Sequence, residues 1–399
     1  MRSAETPDRH IGQRVRSIAF YLPQFYPIPE NDEWWGKGFT EWTNVAKATP
    51  LFPGHYQPHI PADLGFYDLR LPEIRAQQAR LARQYDIDAF CYYHYWFAGR
   101  RILERPFNDV LASREPDFPF CLCWANQTWA GTWFGNPSHV LIEQTYPGMD
   151  DHNRHFDYLI QAFTDRRYLR VAGKPLFLIF QPHLIPDLPS VLRHWRRRAI
   201  ASGLPGLHLV GIRHGFEGWD PSDVGLDACV TKRVPTFYRH DYDGREGARL
   251  TPWRRRSGVM VWDHARVVDR LVAPDDPGIT DYPCVAPTWD NTPRAGRRGL
   301  LLHNSHPDLF RRNLRQGVER AMRLPAPERL LFIKSWNEWA EGNYLEPDLR
   351  FGHRWLEAVR DELRPASMPP WTIPGRTLPD RVPAASLVPA EAQAAHAAE

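Results

Sequence analysis

Neither sign of charge dominates this sequence, and no apolar run in it is long. Its 399 residues carry 50 Lys and Arg against 47 Asp and Glu, a formal net charge of +3 at pH 7. This balance argues against a dedicated nucleic-acid-binding protein. No segment approaches the about 20 consecutive apolar residues of a membrane helix, and the charged N-terminus does not resemble a signal peptide. We therefore expect a cytoplasmic protein with no integral membrane segment.

Cysteine is also scarce. The chain has five cysteines, and most of them lie in apolar, strand-like segments. Cys121 and Cys123 alternate within one such segment, and their spacing is that of neither a zinc ribbon nor a redox pair. The sequence also lacks a phosphate-binding P-loop and a dinucleotide-binding fingerprint. We expect reduced, buried thiols, and we predict no metal site and no cofactor.

Aromatic residues and proline are abundant, with 16 Trp, 15 Tyr, 20 Phe and 38 Pro. Eight segments are apolar nearly throughout, which is typical of strands buried on both faces of a parallel sheet. These segments are residues 15–25, 88–97, 118–129, 175–181, 207–214, 228–234, 282–289 and 330–336. Amphipathic helical patterns lie between them, and the first of these begins at Pro72.

Eight strand–helix units over about 350 residues predict an α/β protein, a (β/α)8 TIM barrel with inserted loops. A doubly wound sheet is the alternative, but no glycine-rich fingerprint follows the first strand. We expect a polar N-terminal extension at residues 1–14 and a single barrel domain at residues 15–365. Residues 366–399 are rich in Pro and Ala and are expected to form a disordered tail.

Barrel enzymes carry their sites at the carboxyl ends of the strands and in the loops that follow. Here those positions hold aromatic rings interleaved with amides and carboxylates, a surface that suits sugars. Core packing is the more common explanation for any single ring, but it is a much weaker explanation for the whole set. The candidate substrate-binding residues are Tyr21, Gln24, Trp42, His94, Tyr95, Trp96, Trp124, Asn126, Trp129, Trp289, Asp290, Asn337 and Trp339. An oligosaccharide or polysaccharide is the expected partner, and no oligomeric state is predicted.

Glu338 and Glu341 are the candidate catalytic residues. They lie three residues apart after the last predicted strand, so their carboxyl groups can converge on one small volume. Glycoside chemistry needs such a pair, one to protonate the leaving oxygen and one to attack, activate water or deprotonate a hydroxyl. The alternative is that they cap a helix or pair with arginines. Glu346 is a further carboxylate nearby, expected in a supporting role.

The segment WNEWAEGNYLEPD, residues 336–348, resembles the catalytic signature of glycoside hydrolase family 99, the endo-α-mannosidases. It is closer still to the WbsX-like proteins, which are described as glycosyltransferases of O-antigen and other polysaccharide clusters. Typical of this branch are also residues 19–42 (AFYLPQFYPIPENDEWWGKGFTEW), 54–70 (GHYQPHIPADLGFYDLR), 92–97 (YYHYWF) and 124–129 (WANQTW). The resemblance covers residues 15–363.

This resemblance implies a (β/α)8 barrel and retaining chemistry without a metal on α-linked glycans, with mannose as the sugar of the related enzymes. By the same resemblance, Glu338 is the base that acts on the sugar 2-hydroxyl and gives a 1,2-anhydro sugar. Glu341 is then the acid and later the base. Trp339 matches the signature of the hydrolases, whereas Ala340 stands where they have His.

Two alternatives remain. One is a glycosyltransferase of O-antigen, lipopolysaccharide or capsule biosynthesis. Metal-dependent nucleotide-sugar transferases commonly carry Asp-x-Asp at a strand end, but the matches at residues 86–88 and 241–243 do not follow a predicted barrel strand. The other is a non-catalytic glycan-binding protein, which would bind glycans without turnover. A hydrolase or transglycosylase is the favoured prediction, although a fold by itself is weak evidence for a function.

Overall fold

The computed structural model describes residues 14–131, 136–214, 219–236 and 258–364. Eight parallel strands of this part of the chain form one closed sheet. They are β1 (Arg16–Tyr21), β2 (Ala89–His94), β3 (Phe120–Trp124), β4 (Lys174–Ile179), β5 (His208–Arg213), β6 (Ala228–Thr231), β7 (Asp281–Val285) and β8 (Leu330–Ile333). Each lies within or overlaps one of the eight segments predicted from the sequence.

The sheet closes because its first and last members pair. The strands follow the order β3, β2, β1, β8, β7, β6, β5, β4, and β3 then pairs with β4. In β1, Ile18 lies opposite Ala89 of β2, while Leu122 of β3 lies opposite Phe177 of β4. The predicted (β/α)8 barrel is confirmed, and the doubly wound alternative is wrong because an open sheet has two unpaired edges.

Helices cover the outside of the barrel. They are α1 (Pro72–Gln84), α2 (Arg105–Ser113), α3 (Met149–Phe163), α4 (Leu188–Ala201), α5 (Pro307–Met322) and α6 (Arg354–Leu363). Proline occupies the first turn of α1, α2, α4 and α5, where its missing N–H costs no helical hydrogen bond. In the described ranges, β5 and β6 are followed only by short helices. None of the helices in these ranges is both long and apolar enough to cross a bilayer.

Short helices and strands lie in the segments that connect the barrel strands and the long helices. Helices of fewer than eight residues are Pro29–Trp35, Glu41–Ala46, His264–Val267 and Thr292–Ala295, and single 3-10 turns are Pro182–Leu184, Pro221–Val224, Val268–Arg270, Gly296–Arg298, Ala326–Glu328 and Trp339–Glu341. Short strands pair Trp129–Gly131 with Asn136–Ile142, Met260–Asp263 with Leu300–His303, and Asn337–Glu338 with Asn343–Tyr344. Arg170–Val171 folds back on the start of β4.

Successive residues of a barrel strand point alternately into the barrel and out toward the helices. In β1, Phe20 points inward, and its ring centroid lies 5.6 Å from those of Tyr93 and Phe332. The next residue, Tyr21, points outward and donates its hydroxyl to Gln78 of α1 over 2.7 Å. Both faces are buried, so the strands lack the alternation of polar and apolar residues that would distinguish the two faces.

The five cysteines are free and buried, as predicted. Three expectations fall on residues outside the described ranges. They concern the N-terminal extension up to residue 13, the Asp-x-Asp at residues 241–243 and the tail at residues 366–399. The other Asp-x-Asp lies at the amino end of β2, where Asp88 pairs with Arg14 far along the strand from its carboxyl end.

Gly317 tests how closely α5 packs on the barrel. A Cβ atom at this position would lie 2.7 Å from side-chain carbons of Leu331 and Val285. Gly to Ala within a helix usually stabilises by roughly 0.5–1 kcal/mol. Here we expect Gly317→Ala to reduce the free energy of unfolding by about 1–3 kcal/mol, since overpacking a tight core is costly.

Denaturant unfolding of both proteins measures this difference. The matched control is Glu319→Ala on the exposed side of the same helix, which should change stability by less than about 0.5 kcal/mol. A Gly317→Ala variant as stable as the parent would contradict the packing described.

Candidate active site

A cavity of about 470 Å³ opens at the carboxyl ends of the barrel strands. Its size falls within the range of about 300–1,000 Å³ that is usual for small-ligand sites. Aromatic rings and charged groups alternate around its wall. The lining side chains include Gln24, Trp35, Phe39, Glu41, Tyr93, Tyr95, Trp129, Phe180, Lys232, Trp289, Arg294, Lys334, Glu338 and Glu341.

Lys334 lies at the floor of this cavity, directly after β8. Phe332 points inward, so alternation along the strand sends Lys334 the same way. The side chain is only 5 % exposed, and its ammonium contacts both Glu338 and Glu341. The distance from Lys334 Nζ to Glu341 Oε2 is 3.2 Å. A buried ammonium is costly unless it is paired, and these two carboxyl groups supply the pairing.

Arg294 supplies a second cation from the opposite wall. It belongs to the short helix Thr292–Ala295, and its guanidinium bridges two carboxylates. Nη1 donates to Glu341 Oε1 and Nε donates to Glu41 Oε1, each over 2.7 Å. Glu41 comes from the long insertion after β1 and is 1 % exposed. The insertion therefore contributes a buried charge to the site and does more than cover it.

A tight turn fixes the two glutamates. Glu338 lies in a short strand paired with Asn343, and Glu341 ends the 3-10 turn that follows. Gly342 then adopts a φ of +56°, and a Cβ there would lie 2.8 Å from the backbone nitrogen of Asp290. That same N–H donates to the carbonyl of Glu341 over 2.7 Å. Only glycine fits this close approach in the left-handed region.

The two carboxyl groups differ sharply in acidity. Burial raises the pKa of Glu338 to about 7; the charge of Lys334 opposes this, and that of Glu341 adds to it. Burial would also raise the pKa of Glu341, but Lys334 and Arg294 together hold it well below the usual range. Glu341 faces two cations and Glu338 contacts one, so at pH values below about 7 the pair holds a single proton, which lies on Glu338.

The spacing of the pair bears on its chemistry. Both carboxyl groups contact the same ammonium, which limits the separation of their nearest oxygens to less than about 6 Å. Retaining glycosidases hold their carboxyl groups about 5–5.5 Å apart, while inverting ones need about 6.5–9.5 Å. The arrangement is compatible with the shorter spacing.

Six of the residues predicted from the sequence line the cavity. They are the two glutamates, Gln24 and the rings of Tyr95, Trp129 and Trp289. The Trp289 ring lies 5.2 Å from Lys334 Nζ, and Trp129 packs edge-on against Tyr95 with centroids 5.2 Å apart. These rings give the cavity faces on which a sugar could stack.

Four predicted residues at or just after the ends of β1, β2 and β3 do not line the cavity. The expectation that they contact the substrate directly is therefore corrected. They are Tyr21, His94, Trp96 and Trp124. His94 and Trp96 contact His155 of α3, and Trp124 packs against the same histidine and Trp195 of α4. All four point toward the helices because they occupy the outward positions of the alternation.

Five more predicted residues are buried in the loops and support the site from behind. They are Trp42, Asn126, Asp290, Asn337 and Trp339, and none of them lines the cavity. Asn337 accepts from the N–H of Leu22 over 2.8 Å and donates to its carbonyl over 3.0 Å. Asn126 accepts from the N–H of Gln181 over 2.8 Å. Their role is to hold backbone, so direct substrate contact is again corrected.

Trp339 and Asp290 hold the turn that carries Glu338 and Glu341. Trp339 donates its indole N–H to Glu346 over 2.7 Å, and Glu346 also accepts from Tyr67 and Gln78. Burial raises the pKa of Glu346 to about 7, although these hydrogen bonds oppose the shift. Asp290 accepts from His55 over 2.7 Å. Glu346 thus has the supporting position that the sequence suggested.

The site residues predicted from the sequence leave out eight charged or aromatic residues of the cavity: Trp35, Phe39, Glu41, Tyr93, Phe180, Lys232, Arg294 and Lys334. A signal existed for the lysines. Each lies in or directly beside an apolar segment predicted to be a buried strand, and a charge in such a place requires a partner. No comparable signal marked Glu41 or Arg294, which the fold brings together from positions 253 residues apart.

Fold and site together define a (β/α)8 barrel with a buried carboxyl pair in a glycan-sized cleft. The chain belongs to the WbsX family, because the family model described as "Glycosyltransferase WbsX" matches residues 17–359. It is 42 % identical over 373 residues to the uncharacterized protein WxcX of Xanthomonas campestris pv. campestris strain B100, covering 91 % of this chain and 53 % of that protein. WxcX of strain ATCC 33913 is 43 % identical over 348 residues, covering 87 % and 49 %. The chain thus spans about half the length of the curated relatives it matches.

Solved structures show the same fold at low identity. A glycoside hydrolase-like protein superimposes with a TM-score of 0.56 at 13 % identity, over 91 % of this chain and 98 % of that one. The GH99 endo-α-mannosidase from Bacteroides thetaiotaomicron gives a TM-score of 0.53 at 14 % identity, over 87 % and 96 %. The predicted resemblance to WbsX-like proteins is confirmed, and the likeness to the solved endo-α-mannosidase shows a shared fold.

The location of the shared proton can be measured by infrared difference spectroscopy. At about pH 6 we expect a protonated-carboxyl band from Glu338 that Glu338→Gln removes. Glu341→Gln should move the titration of Glu338 to lower pH, because the neighbouring negative charge is lost while Lys334 stays.

Glu346→Gln is the matched control, since Glu346 is also a buried carboxyl with a pKa of about 7. It should remove a different band and leave that of Glu338 in place. A band that disappears in Glu341→Gln and persists in Glu338→Gln would place the proton on the other glutamate.

Proposed function

We propose that this chain is a retaining glycoside hydrolase or transglycosylase that acts on α-linked glycans, with Glu338 and Glu341 as its catalytic pair. The observation that carries the proposal is the convergence of both carboxyl groups on one ammonium inside the aromatic cleft. Their separation is shorter than an inverting pair needs. Their pKa values are pushed apart, with the raised pKa on Glu338. A mannose-type substrate is proposed from the resemblance to endo-α-mannosidases.

The proposed reaction has two steps. Glu338 removes the proton of the sugar 2-hydroxyl, whose oxygen attacks C1, while Glu341 donates a proton to the departing glycosidic oxygen. This forms a 1,2-anhydro sugar and releases the leaving glycan. Glu341, now a carboxylate, then takes a proton from water or from an acceptor hydroxyl that attacks C1, and Glu338 returns its proton to the 2-oxygen. Two inversions at C1 give net retention.

The unliganded cleft holds the opposite protonation state. Because Lys334 and Arg294 both contact Glu341, this carboxyl is ionised at rest, and the proton lies on Glu338. The donor role of Glu341 therefore requires substrate to displace one of these two cations before the proton moves. Arg294 can follow such a displacement while still paired, since it keeps its contact with Glu41.

A glycosyltransferase of bacterial polysaccharide biosynthesis is the second candidate. It is favoured by the family description, which names a transferase. The same cleft could serve it if the second step uses an acceptor hydroxyl of a growing chain in place of water. The two candidates differ in the donor, which is a glycan for the hydrolase or transglycosylase and an activated sugar for the transferase.

Substituting each glutamate tests the pair and assigns the donor. Glu341→Gln and Glu338→Gln should each reduce kcat on a natural glycan by about 10²–10⁴-fold, because positioned proton transfer is lost. On a nitrophenyl glycoside, whose leaving group needs no proton, the first-step rate of Glu341→Gln should largely recover. The first-step rate of Glu338→Gln should not recover, because the 2-hydroxyl of the substrate keeps its proton when no base removes it.

Stopped-flow release of nitrophenolate measures this first step. The reverse pattern, recovery in Glu338→Gln alone, would assign the donor role to Glu338 and overturn the proposed order. A rise in KM with unchanged kcat would make either glutamate a binding residue. Retained glycan affinity without turnover in the parent protein would instead indicate a glycan-binding protein.

Mass spectrometry of products separates the two candidate functions. The protein is incubated with a panel of α-linked oligosaccharides, with and without nucleotide sugars and with excess chelator. Shortened or rearranged glycans in the absence of any nucleotide, undiminished by chelator, are the expected result. Extension that occurs only with a nucleotide sugar would establish the transferase.

A further inference from the structure

Lys232 is a cation of the cavity that the proposed mechanism does not use. It follows β6 directly, is 9 % exposed and lines the same cavity as the catalytic pair. Among the residues that the structure describes, its ammonium has no hydrogen-bond or ion-pair partner. The ammonium lies over the face of Phe180, whose ring centroid is 4.6 Å from Nζ.

The other two cations of the cavity are fully paired, which makes Lys232 different in kind. Lys334 contacts Glu338 and Glu341, and Arg294 contacts Glu341 and Glu41. An aromatic face only partly replaces the water that a buried ammonium gives up. An unpartnered side chain of this kind, nine-tenths buried in a ligand cleft, is suited to pair with a group that the ligand brings.

We infer that Lys232 recognises a carboxylate on the substrate, so that the glycan bound here is acidic and places a hexuronic-acid residue in the cavity. This inference rests on the proposed function for its glycan substrate and deepens it by naming the sugar class. Phe180 would pack against the C–H face of the same sugar while the ammonium contacts its carboxylate.

The charge balance of the cavity supports an anionic ligand. At pH values below about 7, where Glu338 holds its proton, the carboxylates Glu41 and Glu341 face three cations, so the empty cavity carries one excess positive charge. Burial and the neighbouring Lys334 lower the pKa of Lys232 to about 8. A carboxylate beside the ammonium would reverse this shift and neutralise the excess charge.

A sugar carboxylate fits better than a diphosphate. Diphosphates are held by several donors at once, by backbone N–H groups at a helix N-terminus, or by a metal. The ammonium of Lys232 is one point charge, and the ring beneath it adds no second donor. A single carboxylate is the anion that one ammonium can satisfy.

Calorimetric binding in the Glu341→Gln background tests the inference without turnover. The probes are α-linked oligosaccharides that contain a hexuronic acid, and the same oligosaccharides after reduction of each carboxyl to an alcohol. We expect the acidic form to bind about 10- to 100-fold more tightly, the usual range for a charge-assisted hydrogen bond. Adding Lys232→Met should abolish this preference and leave affinity for the reduced form unchanged.

Lys232→Arg, which keeps the charge, should retain part of the preference. Lys174→Met removes one positive charge at the amino end of β4, whereas the cavity lies at the carboxyl ends of the strands. This variant should leave the affinities for both probes unchanged. In thermal unfolding, Lys232→Met should be at least as stable as the parent, because an unpaired buried charge is lost. The acidic probe should raise the Tm of the parent but not that of Lys232→Met.

Three results would overturn the inference. Equal losses of affinity for the acidic and reduced probes would show that Lys232 binds hydroxyl groups. Unchanged binding of the acidic probe in Lys232→Met would show that Lys232 does not contact the ligand. Binding of a nucleoside diphosphate, but not of hexuronate, that depends on Lys232 would identify a phosphate site. Failure of the proposed function is distinguishable, since turnover could be absent while the acidic preference persists.

Discussion

The ammonium of Lys334, buried between Glu338 and Glu341, is the interaction on which the site depends. Three charged groups removed from water are tolerated only if each has a counter-charge, and removing one partner leaves the others uncompensated. Arg294 and Glu41 extend the same logic outward, because Glu341 takes a second cation and that cation takes a second carboxylate. The result is a row in which carboxyl groups and cations alternate: Glu338, Lys334, Glu341, Arg294 and Glu41.

This row joins parts of the chain that are distant in sequence. Glu41 comes from the insertion after β1, Arg294 from the segment after β7, and the remaining three from the end of β8 and its turn. The insertion also packs on the turn itself, since the rings of Trp42 and Trp339 lie 5.6 Å apart. Because β1 and β8 are neighbours in the closed sheet, their pairing brings the insertion after β1 beside the turn after β8.

Hydrolysis and transfer place similar demands on this cleft. Both need a group that donates a proton to a leaving oxygen and a dry, rigid surround that keeps the pKa values of the two carboxyls apart. The fold is shared with glycoside hydrolase-like proteins, and the family is described as a transferase. The two candidate activities differ in the donor, which is a glycan for hydrolysis or transglycosylation and an activated sugar for transfer.

The sequence by itself determined the strands, their parallel order and the glutamate pair, because uniformly apolar segments and a local motif are properties of neighbouring residues. It did not determine which strand residues face the cavity. Tyr21, His94 and Trp124 were expected in the site, whereas Phe20, Tyr93 and Cys123 hold the inward positions. Strands buried on both faces are apolar on both, so the sequence pattern does not show which side chains point into the barrel. Only the tertiary structure decided the inward face and the partners of Lys334 and Arg294, because those contacts exist only once the barrel has closed.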